Sequence, residues 1–138
     1  MVIRGDAHSR GLVLVVEEND GMRQAIDNLL DAAGFSGITY SRAEDLIAGG
    51  RVGDALCVIS DIKLPVTSGF ELLIELRARS ARLPVILISA NDTAEMRNKA
   101  KGCGAAAYLA KPFPGNELLA AIEHIAESAR SERRRVCR

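Results

Sequence analysis

The sequence predicts an α/β fold, a doubly wound five-stranded parallel sheet in the order 2-1-3-4-5. Three observations carry this reading. Short apolar runs such as Leu12–Val16, Ala55–Ser60 and Val85–Ile88 alternate with stretches of helical spacing. These runs are apolar on both faces, as in strands covered by helices on either side. Polar residues then follow the runs directly: Glu17 and Glu18, Asp61, Ser89 and Lys111. Parallel strands deliver all of them to one edge of the sheet, where open α/β folds bind ligands.

The elements follow in order. Leu12–Val16 is a brief β-branched run, read as a buried strand. Asn19 or Asp20 caps the first helix, in which Met22, Ala25, Ile26, Leu29, Leu30 and Ala33 recur at helical spacing, and Gly34 ends it. Ile38–Tyr40 is a weaker second strand. Ser41 with Glu44 reads as a capping box for a short helix stopped by Gly49-Gly50. Ala55–Ser60 is the third strand, and Ser68 with Glu71 opens a helix carrying Phe70, Leu73, Ile74 and Leu76. Pro84 begins the fourth strand, where its missing N–H is tolerated. Residues 92–101 read as a helix of weak amphipathicity, marginally held. Gly102 and Gly104 turn the chain into a fifth strand of small residues, Ala105–Leu109. The last helix reads from about Pro114 to Arg130, with Leu118, Ile122, Ile125 and Ala129 on one side.

A chain of 138 residues suits one domain with a substantial core, placed here at residues 10–128, followed by a basic tail at 129–138. At 48% apolar residues the chain is not disordered, and its formal net charge of zero argues against a polyanionic partner. Few aromatics and no Trp disfavour a stacking platform for single-stranded nucleic acid. The three cysteines, Cys57, Cys103 and Cys137, are odd in number and form no CxxC pair, so neither a disulfide framework nor a zinc site is indicated. Cys57 belongs to the core. The N-terminal segment MVIRGDAHSRG has no apolar stretch of signal-peptide length, and no run approaches the ~20 apolar residues of a spanning helix. A cytoplasmic protein without a membrane partner is expected.

The strand-end residues define a chemistry. Two carboxylates at about 4 Å repel by roughly 4 kcal/mol at an effective dielectric of 20. Glu17, Glu18 and Asp61 brought together therefore call for a cation or a raised pKa, and hard oxygen ligands at an open site favour Mg²⁺ or Mn²⁺. A carboxylate beside such a metal can attack phosphorus and form an aspartyl phosphate. Ser89 can donate its hydroxyl to a phosphoryl oxygen, and Lys111 supplies a point charge for Asp61 or phosphate. Lys111 precedes Pro112, and a cis bond there is an option that sequence alone does not establish.

The runs LVLVVEEND, SDIKLPVTSG, PVILISA and AAAYLAKPF, taken in this order, resemble the receiver domain of two-component response regulators. The resemblance covers roughly residues 10–128 and implies a flavodoxin-like (βα)5 fold of the stand-alone receiver type. It implies that Asp61 accepts phosphoryl from a sensor histidine kinase or a histidine phosphotransfer protein. Glu17, Glu18, Asp61 and the Lys63 backbone carbonyl would hold Mg²⁺. Ser89 would be the switch hydroxyl, Tyr108 the paired aromatic, and Lys111 the salt bridge to phosphoryl. Ala90 would leave access to the site, and the side chains of Lys63 and Asn91 would tune dephosphorylation. Such a receiver is not an enzyme toward other substrates; it promotes only its own phosphorylation and dephosphorylation. Its output would be a downstream protein target engaged near helix 4, strand 5 and helix 5, a phosphoryl relay, or a homodimer.

One position departs from the family pattern. Receivers usually carry at least one Asp in the acidic pair, and here both are Glu. The extra methylene of Glu18 moves its carboxylate by the length of a C–C bond. The alternative function is therefore a degenerate receiver acting as a phosphorylation-independent protein–protein adaptor. A haloacid-dehalogenase-type phosphatase would want a second Asp where Lys63 stands, and a flavodoxin-type cofactor binder would want a Gly-rich loop where Glu17-Glu18 stand. No DNA-binding domain is expected after the last helix. Arg130, Arg133, Arg134, Arg135 and Arg138 read as a solvated end rather than a nucleic-acid or membrane contact.

Overall fold

The computed structural model describes residues 9–80 and 82–136. Five parallel strands, β1 (Leu12–Val16), β2 (Ser36–Tyr40), β3 (Ala55–Asp61), β4 (Val85–Ser89) and β5 (Ala107–Ala110), form one sheet in the order β2-β1-β3-β4-β5. The helices between and after them are α1 (Asp20–Ala32), α2 (Ala43–Ala48), α3 (Gly69–Arg79), α4 (Ala94–Gly102) and α5 (Gly115–Val136).

Strand alternation splits the core into two layers. Val13 and Val15 of β1 face Ile26, Leu30, Leu118 and Ile122 from α1 and α5. Leu14 and Val16 face Leu46, Leu72, Leu73 and Leu76 from α2 and α3, with Ala100 of α4 in the same layer. The central strands are buried on both faces, which is why their sequences show no polar alternation. The register pairs Val16 with Ser60 and Asp61 with Ile88, so the carboxyl ends of β1, β3 and β4 finish level with one another. Cys57 lies in this core, and burial pushes its thiol up to about 12. Cys103 is half-buried, and both thiols are free.

Local signals set most boundaries. Asn19 caps α1 by accepting the Met22 N–H at 2.8 Å. Gly34 leaves α1 at φ +90°, a backbone that suits glycine. Ser68 and Glu71 form the full capping box of α3.

Several boundaries differ from the sequence reading. Ser41 and Glu44 make no capping box. Helix α2 starts one residue later, on Arg42, which makes no side-chain cap bond, because burying Ala43 and Leu46 fixes where the turn begins. A 3₁₀ turn at Val52–Asp54 precedes β3 and has no periodic signal. Strand β5 is shifted to Ala107–Ala110: the Ala105 N–H still closes the turn after α4 on the Ala100 carbonyl, and pairing with β4 begins only with the Ala106 N–H on the Val85 carbonyl. Helix α5 runs to Val136, so residues read as tail are helical. Arg133, Arg134 and Arg135 in the last turn suit the negative end of the helix dipole. No helix among the described residues is long and apolar enough to cross a membrane. Residues 1–8, Cys137 and Arg138 lie outside the described residues.

Candidate functional site

The carboxyl edge of the sheet carries a buried ion-paired triad. Glu17 follows β1 and is 1% exposed; Asp61 ends β3 and is 7% exposed. Lys111 follows β5. Its backbone N–H is bonded to the Ser89 carbonyl at 2.8 Å, which ties it to the end of β4. Its side chain crosses back over the sheet and donates from Nζ to Asp61 Oδ2 at 2.8 Å and to Glu17 Oε1 at 2.7 Å. The Lys111–Pro112 bond is cis.

The remaining carboxylate oxygens have backbone partners. The Asn19 N–H donates to Glu17 Oε2 at 3.0 Å, and the Lys63 N–H donates to Asp61 Oδ1 at 3.1 Å. Burial alone pulls the Lys111 ammonium toward the neutral form. Hydrogen bonds to Asp61 and Glu17, with the charges of both, outweigh that pull and hold Lys111 above its usual value. Two carboxylates share one ammonium, so the triad keeps an uncompensated negative charge at the open edge.

Glu18 stands apart from the triad. It is exposed, and its backbone carbonyl accepts from Arg23 at 3.3 Å, next to the Glu17 carbonyl that accepts from the same guanidinium at 2.9 Å. Among the described residues no set of three His, Cys, Asp or Glu side chains converges to hold a metal ion. The expected three-acid cluster is thus a pair bridged by Lys111, with a third acid exposed. Alternation along the chain explains this: once Glu17 turns inward at the end of β1, the next side chain turns out.

The other predicted positions lie around this centre. Ser89 is buried, and its hydroxyl donates to the Asn91 carbonyl at 3.2 Å while accepting the Asn91 N–H at 3.1 Å. It is therefore engaged with its own loop. Ala90, Asn91 and Lys63 are exposed. Tyr108 is half-buried on β5, and its hydroxyl is buried without a hydrogen-bond partner. The Arg97 guanidinium covers its ring at 5.2 Å and is held by Asp92 through two bonds of 2.7 and 2.8 Å. Those bonds keep the Asp92 carboxyl below its usual value.

Sequence reasoning missed three contributors. From the sequence Asn19 is a cap alone, yet its backbone also secures Glu17. Arg23 clasps the acidic turn from α1, and a lone Arg on an exposed face gives no signal of that. Gly69 permits the chain to pass close to Asp61: a Cβ there would lie 2.4 Å from the Asp61 carbonyl oxygen. A glycine just inside a capped helix was the available hint.

The comparisons with known proteins agree with this geometry. A family model described as the response regulator receiver domain matches residues 13–123. Nodulation protein W of Bradyrhizobium diazoefficiens is 29% identical over 130 residues, covering 94% of this chain and 56% of that protein. The transcriptional regulatory protein FixJ of Azorhizobium caulinodans is 32% identical over 110 residues, covering 80% of this chain and 52% of that protein. The chain spans about half the length of these curated relatives. A crystal structure of a response regulator receiver domain protein from Clostridium thermocellum is similar with a TM-score of 0.78 and 26% identity, covering 86% of this chain and 96% of that one. With the sheet order, the strand-end triad and a match over most of its length in accord, this chain belongs to the response regulator receiver domain family.

Proposed function

We propose that the chain is a phosphoacceptor switch in a two-component pathway, with Asp61 as the residue phosphorylated. The observation that carries this is the Glu17–Lys111–Asp61 triad at the carboxyl edge of the sheet. It holds a carboxylate oxygen beside a fixed ammonium, where an incoming phosphoryl meets a positive partner. The donor would be a sensor histidine kinase or a histidine phosphotransfer protein. An Asp61 oxygen forms the new P–O bond while the P–N bond of the donor's phosphohistidine breaks, and the departing imidazole keeps the electron pair and takes a proton.

The donor set fits a hard divalent cation. The pair Asp61 and Glu17 offers only oxygen ligands and negative charge in excess of Lys111. The Lys63 backbone carbonyl and the exposed Glu18 carboxylate, which stands apart from the pair, would complete the set only by moving toward a bound ion. Bound there, Mg²⁺ or Mn²⁺ would neutralise charge between carboxylate and phosphoryl. Lys111 keeps its hold on the site and pairs with the added phosphoryl oxygens. Ser89 leaves its Asn91 partners to donate to the phosphoryl, Ala90 leaves room for it, and Tyr108 fills the space vacated. Lys63 and Asn91, exposed on either side, tune the return to the free carboxylate. The readout is a protein target or a homodimer engaged through the face near α4, β5 and α5, in the cytoplasm.

Incubation with acetyl phosphate and Mg²⁺ should raise the intact mass of the wild-type chain by one phosphoryl group and leave Asp61→Asn unchanged. The same increase in Asp61→Asn would remove Asp61 as acceptor. The adaptor reading draws on the exposure of Glu18 and on the full hydrogen bonding of Glu17 and Asp61. It requires that neither Mg²⁺ binding nor a mass increase be observed.

A further inference from the structure

Opposite the acidic site, the amino edge of the sheet carries a groove of about 1130 Å³. Its floor is built from the first residues of the strands, Leu12, Ala55, Leu56 and Ala107, with Leu83 and Pro84 just before β4. One wall is α5, from Ala120 to Arg133. Along it His124, Ser128 and Glu132, and beside them Ile125, Ala129 and Arg133, recur four residues apart and so share one helix face. The family match ends at residue 123, so most of this wall is the part of α5 beyond the match.

That part of α5 has little packing of its own. From Glu127 to Arg135 every residue but Ala129 is exposed. A helix in a folded protein draws most of its stability from a packed face, and here the face toward the groove is open. The charge around the groove is one-sided. Its two acids are already neutralised, Asp54 by Arg51 at 3.2 Å and Glu132 by Arg82 at 3.8 Å. At one end Arg10 is held in place by the Phe35 ring at 4.5 Å and the Ala33 carbonyl at 3.1 Å. At the other, Arg133 and its neighbours Arg130 and Arg134 pair with no carboxylate among the described residues.

We propose that this groove receives an amphipathic helix of a partner protein, apolar on the side laid against the strand ends and acidic along its flanks. An aliphatic floor calls for aliphatic side chains, and an arginine rim calls for carboxylates. A nucleic acid would satisfy the arginines alone, since the groove has no aromatic ring on which a base could stack. A flat membrane surface cannot enter a groove. The wall from Ala120 to Arg133 is about 20 Å long at the helical rise of 1.5 Å per residue, which matches a partner helix of nearly four turns. This surface lies at the far end of the fold from Asp61 and is independent of the phosphoacceptor reading.

The test uses a fluorescent synthetic peptide of about 15 residues, with Leu at i, i+3, i+4 and i+7 spacing and Glu on the flanks, and a control with Lys in place of Glu. By fluorescence polarisation wild type should bind the Glu peptide at least tenfold more tightly than the Lys peptide. Ser128→Trp fills the groove and should weaken binding at least tenfold without lowering Tm. Arg82→Ala combined with Arg133→Ala should weaken it at least fivefold. Bound Glu peptide should slow hydrogen exchange over residues 124–135 and leave α4 unchanged. Equal binding of the two peptides, full binding by both variants, or protection of α4 instead of α5 would overturn the proposal. So would a wild-type dimer that Ser128→Trp dissociates, which would give the groove to a second copy. Binding of a DNA duplex or of anionic vesicles that the arginine variant abolishes, with no binding of the Glu peptide, would overturn it as well.

Discussion

Lys111 is the residue on which the site's electrostatics turn. Its ammonium lies between two buried carboxylates, and its side chain keeps only 15% of its exposure. Lys111→Met would leave Glu17 and Asp61 facing each other without a counter-charge. The expected destabilisation at neutral pH is about 2 kcal/mol, below the ~3–5 kcal/mol for breaking a fully buried pair because some solvent remains. The folded-state pKa of Lys111 is raised. Its contribution is therefore fully present below the unfolded value of about 10.5 and is lost as pH rises through the higher folded value. Urea midpoints measured from pH 7 to 11 should show this alkaline loss in wild type and not in Lys111→Met; parallel curves would contradict it. Asp61 and Lys111 were legible in the sequence because each follows an apolar run, and parallel strands place such residues on one edge. The exposure of Glu18 was not legible: which of two neighbouring acids turns inward depends on where β1 ends and on Arg23, a residue with no pattern of its own.

At the scale of elements, α4 is the weakly held one. Ala100 is its one buried residue, whereas α3 buries Phe70, Leu72, Leu73 and Leu76. What fixes α4 is polar: the Thr93 cap accepts the Met96 N–H at 3.1 Å, and Arg97 is clamped by Asp92 over Tyr108. Few apolar contacts and exposed polar ones mark the low-stability end of a fold. Hydrogen exchange should be faster across Ala94–Gly102 than across α3, and Arg97→Ala should accelerate it further while the global unfolding midpoint stays the same. Equal protection of α3 and α4, or a shift of the global midpoint, would show that α4 is held as firmly as the core. The weak amphipathicity of residues 92–101 already announced this in the sequence. The end of α5 was less visible. Apolar spacing stops near Ala129, but the helix continues to Val136 on good helix formers and the Arg82–Glu132 pair at 3.8 Å. Apolar periodicity reports the buried face and not the full length of a helix.

The whole molecule is an edge-delivery device. Two apolar layers on a parallel sheet fix five strand ends, and residues distant in sequence, such as Glu17, Asp61 and Lys111, meet only because those ends are level. The parallel sheet was legible because its central strands are apolar on both faces; the order 2-1-3-4-5 follows from its being a common doubly wound arrangement, and that order is what sets the acids at the switch point. What the fold adds is the pairing within the site: one lysine shared by two acids, and Ser89 and Tyr108 each engaged away from Asp61. The account stands on Asp61 being the atom-level acceptor, and an acyl phosphate can be read chemically. Treatment with acetyl phosphate and Mg²⁺, then borohydride reduction and peptide mapping, should convert residue 61 to homoserine and leave every other Asp intact. Homoserine at a different position, or at none, would contradict it.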